Sequence, residues 1–182
     1  MEKDGVGENL ANKDGKLFEN DWKKSIPKDM YYQRIKDNPT LFGNKEENNS
    51  NLRFTPKQPF DAFLFHSPCL YCFELKSTKG TSISFKGTSP MIKEHQIKEL
   101  SNASTYNNCI AGFIFNFREP QNIVYFQNIK DFNNFLNETT KSSINQKDII
   151  NYGGLIVEGE IKKVRWKYNI NKMVDDLNKI LS

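Results

Sequence analysis

The segment CIAGFIFNF, residues 109–117, constrains the fold of this chain most strongly. Its residues are almost all apolar and show little polar/apolar alternation, which is typical of a strand buried on both faces. The segment is much shorter than the roughly 18 apolar residues that a membrane-spanning helix needs. It therefore predicts a strand inside a sheet that is covered on both sides, and no membrane partner.

Further strands and helices are predicted on either side of this segment. Two apolar runs, 59–65 and 69–76, are joined by HSP and predict a hairpin, and SISF (82–85) predicts a third strand. Apolar residues at helical spacing predict helices at 14–25 and 91–103. The order of helix, three strands, helix and strand predicts an α/β fold with a mixed β-sheet flanked by helices.

The rest of the chain continues this pattern. Its predicted elements are a strand MYYQRIKD, a strand IVYFQ, a helix DFNNFLNE, a helix KDIINY, paired strands in GLIVEGEIKKVRWKY and a closing helix INKMVDDLNKIL.

A length of 182 residues predicts a single domain with its own core. We expect residues 1–13 to be a flexible N-terminus and residues 14–182 to form the domain. An Asn-rich stretch predicts a mobile insertion at about 38–58. The chain starts without a charged-then-apolar leader, from which we expect a cytoplasmic protein.

Charge and cysteine content narrow the function only slightly. A net charge of +4 permits a polyanionic partner but does not require one. The three cysteines are an odd number, which favours reduced thiols. Cys69 and Cys72 have the CxxC spacing of a zinc site, but residues three apart on a strand point to opposite faces. Small buried apolar side chains are the favoured interpretation of this pair.

The stretch FELKSTKG (73–80) carries the strongest sign of chemistry. Glu74 and Lys76 share one face of a predicted strand, and Asp61 lies in the neighbouring strand of the hairpin. Carboxylates among aromatic residues are costly to keep charged without a cation, and Mg²⁺ prefers oxygen ligands. Lys76 could then offset charge on a phosphate under attack. An internal ion pair at a strand end is the alternative.

Two residues outside the hairpin are candidates for the same site. Glu19 lies in the first predicted helix, which could bring its carboxylate over the same sheet edge, although a surface position is also open. Gln96 shares a helical stripe with Ile92 and Leu100, so it faces the sheet. A buried amide needs a partner, which could be structural or could be a water or phosphate at a metal site.

Taken in order, these segments closely resemble the RecU-type Holliday junction resolvases, a branch of the PD-(D/E)xK nuclease superfamily. The resemblance implies a bacterial or phage origin for the chain. The similarity runs from about Glu19 to the closing helix. The segments that carry it are PFDAF, FELKST, EHQIKEL, AGFIFNFRE, VYFQNIKDF and DIINYGGLI. The resemblance implies a restriction-endonuclease-like core with the order α-β-β-β-α-β.

The resemblance also implies an activity and a set of site residues. It implies an endonuclease of DNA recombination and repair that hydrolyses paired, symmetric phosphodiesters in four-way DNA junctions with Mg²⁺, which Mn²⁺ is expected to replace. The implied catalytic residues are Glu19, Asp61, Glu74 and Lys76. The implied metal ligands are Asp61, Glu74, the backbone carbonyl of Leu75, and Gln96.

Partners follow from the same resemblance. It implies a homodimer on branched DNA, with a recombinase as a further candidate partner, since symmetric cuts need two sites related by a twofold axis. The candidate DNA contacts are Lys23, Lys24, Arg34, Arg53 and Lys79. The chain departs from the family at Pro59, where bacterial members have a threonine, and in the Asn-rich sequence of the expected stalk.

Two other functions remain open from the sequence. A related PD-(D/E)xK nuclease could use Asp61, Glu74 and Lys76 on duplex or flap DNA. A non-cleaving DNA-binding accessory protein of recombination would instead bind DNA without Mg²⁺ dependence and without cuts. The presence of Asp61, Glu74, Lys76 and Gln96 together disfavours the second alternative.

Overall fold

The computed structural model describes residues 5–35 and 58–181. The helices are, in chain order, α1 (Gly5–Ser25), α2 (Glu94–Ala103), α3 (Ile129–Glu138), α4 (Gln146–Asn151) and α5 (Ile170–Leu181).

Ten strands accompany these helices in the described residues. In chain order they are β1 (Tyr31–Arg34), β2 (Ala62–His66), β3 (Cys69–Thr78), β4 (Ser82–Ser84), β5 (Cys109–Phe117), β6 (Ile123–Asn128), β7 (Ser143–Asn145), β8 (Leu155–Ile156), β9 (Gly159–Lys162) and β10 (Arg165–Tyr168).

Six of the strands form one mixed sheet in the order β1-β2-β3-β5-β6-β8. β3 and β5 run parallel, and the other neighbours pair antiparallel. In the main sheet, α1 precedes β1, β2 and β3, and α2 then leads into β5; β1, and not SISF, is the third strand of this series. This is the mixed α/β sheet with flanking helices, in the α-β-β-β-α-β order, that the sequence predicts, and the prediction is confirmed.

Strand β5 is buried on both faces, as its apolar sequence predicts. Ile110 and Ile114 belong to a core between the sheet and helices α1 and α5. Phe113 and Phe115 belong to a second core, which lies between the sheet and helices α2 and α3. Successive side chains of a strand point to opposite faces, so an uninterrupted apolar run is what two such cores require.

The core on the α1 side is built largely from aromatic rings. Trp22 of α1 is fully buried and packs edge-on against Phe73 of β3, with ring centroids 6.0 Å apart. Phe18 of α1 contacts Tyr168 in the same way at 5.7 Å. These contacts hold α1 against the sheet and fix the position of Glu19, one residue after Phe18.

The helix starts differ most from the prediction in α1 and α2. α1 begins at Gly5 and not at Asp14, because no proline interrupts the chain before Pro27, which alone supplies a stop signal. α2 begins at Glu94 and not at Met91. Lys93 has an extended backbone there, and its N–H donates to the Gln96 side chain, which caps the helix at this residue.

The helical spacing in 14–25 predicts Leu17 near Phe18 and Trp22 and Asp21 on a solvated face, and both predictions are wrong. Leu17 is exposed and lies outside the core. Asp21 is buried, since Arg165 Nε donates to its carboxylate at 2.6 Å and ties α1 to β10. SISF forms a strand as predicted, but this strand, β4, pairs with β7 in a separate two-stranded sheet and not with the main sheet.

The predicted pairing in the last third of the chain is confirmed. β9 and β10 form an antiparallel ribbon, in which the exposed Lys162 and Glu160 form an ion pair of 2.9 Å. The predicted insertion at 38–58 falls almost entirely outside the described residues, so it stays a prediction. The single domain at 14–182 and the flexible terminus at 1–13 also stay predictions.

Candidate active site

The hairpin of β2 and β3 brings Asp61 to the middle of β3. Asp61 is the residue just before β2, and Ala62 pairs with Phe73 across the hairpin. The register therefore carries the Asp61 side chain toward Leu75, whose backbone N–H donates to Asp61 Oδ2 at 2.8 Å. The backbone carbonyl of Asp61 accepts from Ile35 N at 2.8 Å, so the residue is held on both sides.

Glu74 is the buried carboxylate of the site, with 2% of its side chain exposed. Its Oε1 accepts hydrogen bonds from Lys76 Nζ, at 2.8 Å, and from Gln96 Nε2. Burial raises the pKa of Glu74 to about 7. Lys76 opposes this rise, and Asp61 adds to it through its charge and through a hydrogen bond between the two carboxyl groups. Asp61, Glu74 and Lys76 thus form one cluster, as predicted.

Gln96 connects this cluster to helix α2. Its Oε1 accepts from Lys93 N at 2.8 Å, while its Nε2 donates to Glu74 Oε1. The prediction that Gln96 faces the sheet is confirmed, and in this arrangement its amide both caps α2 and holds the carboxylate. Both amide partners of Gln96 are groups of the protein, Lys93 N and Glu74 Oε1, and a role at a metal site stays a prediction.

Glu19 and Arg34 form an ion pair at the same end of the sheet. Burial raises the pKa of Glu19, the positive charge of Arg34 lowers it, and the negative charge of Asp61 raises it further. Asp61 is therefore close enough to Glu19 to influence its charge. Glu19 of α1, Arg34 of β1 and Asp61 before β2 form one group of charges. Arg34, expected to contact DNA, has Glu19 as a protein partner.

The other candidate DNA contacts lie in different parts of the structure. Lys23 and Lys24 are exposed in the last turn of α1, and Lys79 is exposed just after β3. Arg53 lies outside the described residues. Lys24 lines a separate cavity of about 670 Å³, together with Lys28 and Lys167.

A cleft of about 730 Å³ opens over the carboxylates. Its lining residues are Gln58, Phe60, Asp61, Glu74, Lys93, Glu94, His95, Gln96 and Lys98. β3 supplies the buried Glu74, the residue before β2 supplies the half-buried Asp61, and α2 with the residue before it supplies the opposite wall. Sequence reasoning missed Lys93 and Lys98. Lys93 and Lys98 are five residues apart, a spacing that does not place two residues on one helix face, so the sequence carried no signal for them.

The residues of the cleft fit a hard divalent cation better than a soft one. Within residues 5–35 and 58–181, no group of three or more His, Cys, Asp and Glu side chains is placed to hold a metal ion. The donors are the carboxylates of Asp61 and Glu74, the amide of Gln96 and the carbonyl of Leu75. The Leu75 carbonyl points to the same strand edge as its N–H, which faces Asp61. Oxygen donors of this kind suit Mg²⁺, which keeps several waters.

The cysteines do not form a CxxC metal site. Cys69 belongs to the core on the α1 side and Cys72 to the core on the α2 side, so their thiols point apart. Cys72 instead lies beside Cys109, with the two sulfurs 3.7 Å apart. The interpretation of Cys69 and Cys72 as small buried side chains is confirmed.

A chain of polar side chains on the opposite sheet face was also missed. Ser77 Oγ donates to Asn116 Oδ1 at 2.8 Å, and Asn116 Nδ2 donates to Asn122 Oδ1 at 2.9 Å. Asn122 Nδ2 continues the chain to Tyr168 Oη at 3.3 Å. Asn116 is the one polar residue of the apolar run CIAGFIFNF, and that interruption is the sequence signal for the network.

Comparison with known proteins supplies a relative. The SPbeta prophage-derived uncharacterized protein YotM of Bacillus subtilis (strain 168) is 39% identical to this chain over 181 residues. The alignment covers 93% of this chain and 89% of YotM. The chain belongs to the YotM family.

Other comparisons add little to this assignment. No family model matches this YotM-family chain. A similar solved structure is that of Archaeoglobus fulgidus Hjc, a Holliday junction resolvase from an archaeal hyperthermophile. It superposes with a TM-score of 0.42 at 14% identity, covering 81% of this chain and 94% of Hjc. None of the helices in the described residues is long and apolar enough to cross a membrane.

Proposed function

We propose that this protein is a Mg²⁺-dependent, structure-specific endonuclease that resolves four-way DNA junctions by paired phosphodiester hydrolysis. The observation that carries the proposal is the cluster at the cleft. Lys76 Nζ lies 2.8 Å from Glu74 Oε1, and the Asp61 carboxyl lies beside that glutamate. The RecU-type resemblance in sequence assigns roles to the same three residues.

The residues that would hold Mg²⁺ are Asp61, Glu74, the Leu75 carbonyl and Gln96. Mg²⁺ in such a site supplies Lewis-acid activation of the hydrolytic water, and Mn²⁺ is expected to replace it. Asp61 and Glu74 supply the negative charge, and burial of Glu74 makes a cation favourable there. Gln96 can turn its amide oxygen into the cleft, at the cost of its hydrogen bonds with Lys93 N and Glu74 Oε1.

Lys76 is the proposed residue for charge stabilisation. Its ammonium reaches Glu74 Oε1 from within the cluster, with 15% of the side chain exposed. A phosphate oxygen that enters the cleft would offer Lys76 a second acceptor, and the ammonium would offset the charge that develops there. Orientation or deprotonation of the attacking water by Lys76 is the other role open to it. Glu19 is proposed to act in catalysis from the α1 side, next to Asp61.

DNA contacts are proposed at Lys23, Lys24, Arg34, Arg53 and Lys79. Such contacts hold the phosphate backbone without reading bases. Arg34 would exchange Glu19 for a phosphate. We also propose that the protein has a recombinase as a partner and is located in the cytoplasm.

A homodimer is proposed because paired cuts need two active sites. An exposed apolar row across three strands supports a second copy as its partner: Tyr31 pairs with Phe65, and Phe65 with Leu70. Their exposed fractions are 60%, 45% and 36%. Phe65→Glu should convert a dimer to a monomer in sedimentation velocity. Ile161→Glu, at an exposed apolar residue of the β9–β10 ribbon, should leave the dimer intact.

Cleavage of a labelled mobile four-way junction and of a linear duplex of the same sequence tests the activity. Each substrate is incubated with Mg²⁺ or with chelator. Lys76→Ala should lose the cuts, while Lys162→Ala should keep them, because Lys162 belongs to an equivalent Glu-x-Lys triplet that is exposed on the ribbon.

The products separate the candidate functions. Symmetric paired nicks in the junction alone support a resolvase. Equal cutting of the duplex or of a flap makes the protein a related nuclease of broader specificity. Binding without cuts at any divalent metal concentration makes it a non-cleaving accessory protein.

A further inference from the structure

The wall of the cleft that faces the carboxylates carries two lysines with no role so far. Lys93 precedes α2 and Lys98 lies in its second turn, and both line the cleft that contains Asp61 and Glu74. Both side chains are exposed. Glu94 and His95 lie on the same wall, so the charge there is mixed but predominantly basic.

These two lysines differ from Lys76, the lysine beside Glu74. Lys76 forms an ion pair with that glutamate. Neither Lys93 nor Lys98 forms an ion pair with a carboxylate in residues 15–35 or 58–179. A lysine without an internal partner in a cleft keeps its full attraction for an anionic ligand.

The position of Lys93 is fixed relative to the buried carboxylate. Lys93 N donates to Gln96 Oε1, and Gln96 Nε2 donates to Glu74 Oε1. Two hydrogen bonds through one side chain therefore connect the start of the basic wall to the metal-ligand candidate. The backbone of Lys93 therefore has a fixed position beside the carboxylate, and the lysine side chain extends from that point into the same cleft.

The two lysines lie at different points of one wall, Lys93 just before α2 and Lys98 in its second turn. A DNA strand carries a phosphate at every step, so the two ammonium groups can contact different phosphates of one strand.

We propose that Lys93 and Lys98 form a subsite for the DNA backbone, which contacts phosphates other than the one that reacts. This inference rests on the proposed function, since it assigns a polynucleotide to the cleft. The lysines act on binding and not on the bond that breaks, and they make the α2 wall part of the DNA path.

The test is binding of a fluorescein-labelled four-way junction, followed by anisotropy in chelator between about 50 and 200 mM salt. The wild-type protein is compared with the Lys93→Ala/Lys98→Ala double variant. The plot of log K against log salt has a negative slope, and each lost phosphate contact should make it less steep by about 0.9. The slope of the double variant should therefore be less steep than that of the wild type by about 1.8. The Lys93→Arg/Lys98→Arg variant should restore the slope.

The matched control is Lys130→Ala/Lys147→Ala. These two lysines are exposed on α3 and α4 and do not line the cleft, so their removal changes the net charge equally. A double variant at 93 and 98 with the same slope as this control overturns the subsite. Thermal unfolding of all variants verifies that the fold is kept.

Further outcomes separate the subsite from the proposed activity. If the protein cuts the junction but the double variant keeps the wild-type slope, the subsite is contradicted and the nuclease activity is supported. If the protein cuts nothing but the double variant has a less steep slope, the subsite is supported and the nuclease activity is contradicted. Under saturating protein, the single-turnover rate of the double variant should stay within a few-fold of the wild type. A loss of about a hundred-fold there would contradict a binding role.

Discussion

Lys76 and Glu74, two residues apart on β3, are joined by a 2.8 Å ion pair on the face of the sheet that opens into the cleft. The pair explains why a carboxylate and an ammonium end an apolar strand. The lysine offsets part of the cost of burying Glu74, and a pKa of about 7 shows that the offset is incomplete. A buried acid that ionises near neutral pH is well placed to exchange its proton for a cation.

Unfolding of the metal-free protein should depend on pH through Glu74. Its pKa is raised from the ordinary 4.5 to about 7, so the folded state binds more protons between these values, and stability from this group falls as pH rises through that window. Since a pKa difference of one corresponds to about 1.4 kcal/mol, the contribution is about 3 kcal/mol. Urea unfolding at pH 5 and pH 8 in chelator measures it.

The Glu74→Gln variant isolates this dependence from the other acids. It should lose most of the difference between pH 5 and pH 8. An equal difference in wild type and variant would contradict the assignment to Glu74. Mg²⁺ should stabilise the wild type more at pH 8 than at pH 6, because protons compete with the cation for the carboxylate.

Removal of the lysine should destabilise the protein in a pH-dependent way. Lys76→Ala leaves Glu74 buried without its cation, which costs up to about 3 kcal/mol when the carboxylate is charged. The loss should therefore be larger at pH 8 than at pH 6, where Glu74 takes up a proton. Lys162→Ala breaks an exposed pair and should cost less than about 1 kcal/mol at either pH. Thermal unfolding of both variants gives the comparison.

Asp61→Asn should separate metal binding from folding. The asparagine oxygen can still accept from Leu75 N, so the hairpin is kept, but one negative charge of the site is lost. We expect unfolding in chelator to change by less than about 1.5 kcal/mol and the stabilisation by Mg²⁺ to fall strongly. DNA cleavage should fall by at least about a hundred-fold. A variant that keeps full Mg²⁺ stabilisation would remove Asp61 from the ligand set.

Gly112→Ala should destabilise the centre of the sheet. A Cβ at this residue would lie 2.8 Å from a ring carbon of Phe126 and closer still to the Gln127 carbonyl, so β5 and β6 would have to move apart. We expect a loss of about 1–3 kcal/mol. Gly15→Ala is the control: nothing lies within 4 Å of its Cβ, and the substitution in helix α1 should stabilise by about 1 kcal/mol. Urea unfolding of the two variants should differ in sign.

Sequence patterns predicted most of the elements because the signals were local. The uniform apolar run at 109–117 could only be a doubly covered strand, and the alternation in 69–76 fixed Glu74 and Lys76 on one face. The position of SISF was not predictable in this way. Its short alternation suits any sheet, and only pairing with β7, about 60 residues later in the chain, decided which one it joined.

The same distinction holds for the charges. The spacing of Glu74 and Lys76 determined that they share a face, since that relationship depends on backbone geometry alone. Whether Asp21 was solvated depended on Arg165, which is far away in sequence and meets it only because α1 packs on the β9–β10 ribbon.

The sequence by itself determined the mixed sheet, its covering helices and the residues of the acidic cluster. Period-two and helical spacing act over a few residues, so they can be deduced from the order of side chains. Only the tertiary structure decided that Gln96 bridges Lys93 and Glu74 and that Lys93 and Lys98 face the carboxylates across one cleft. Those relationships depend on where α2 packs on the sheet, which the burial of side chains from many distant segments fixes together.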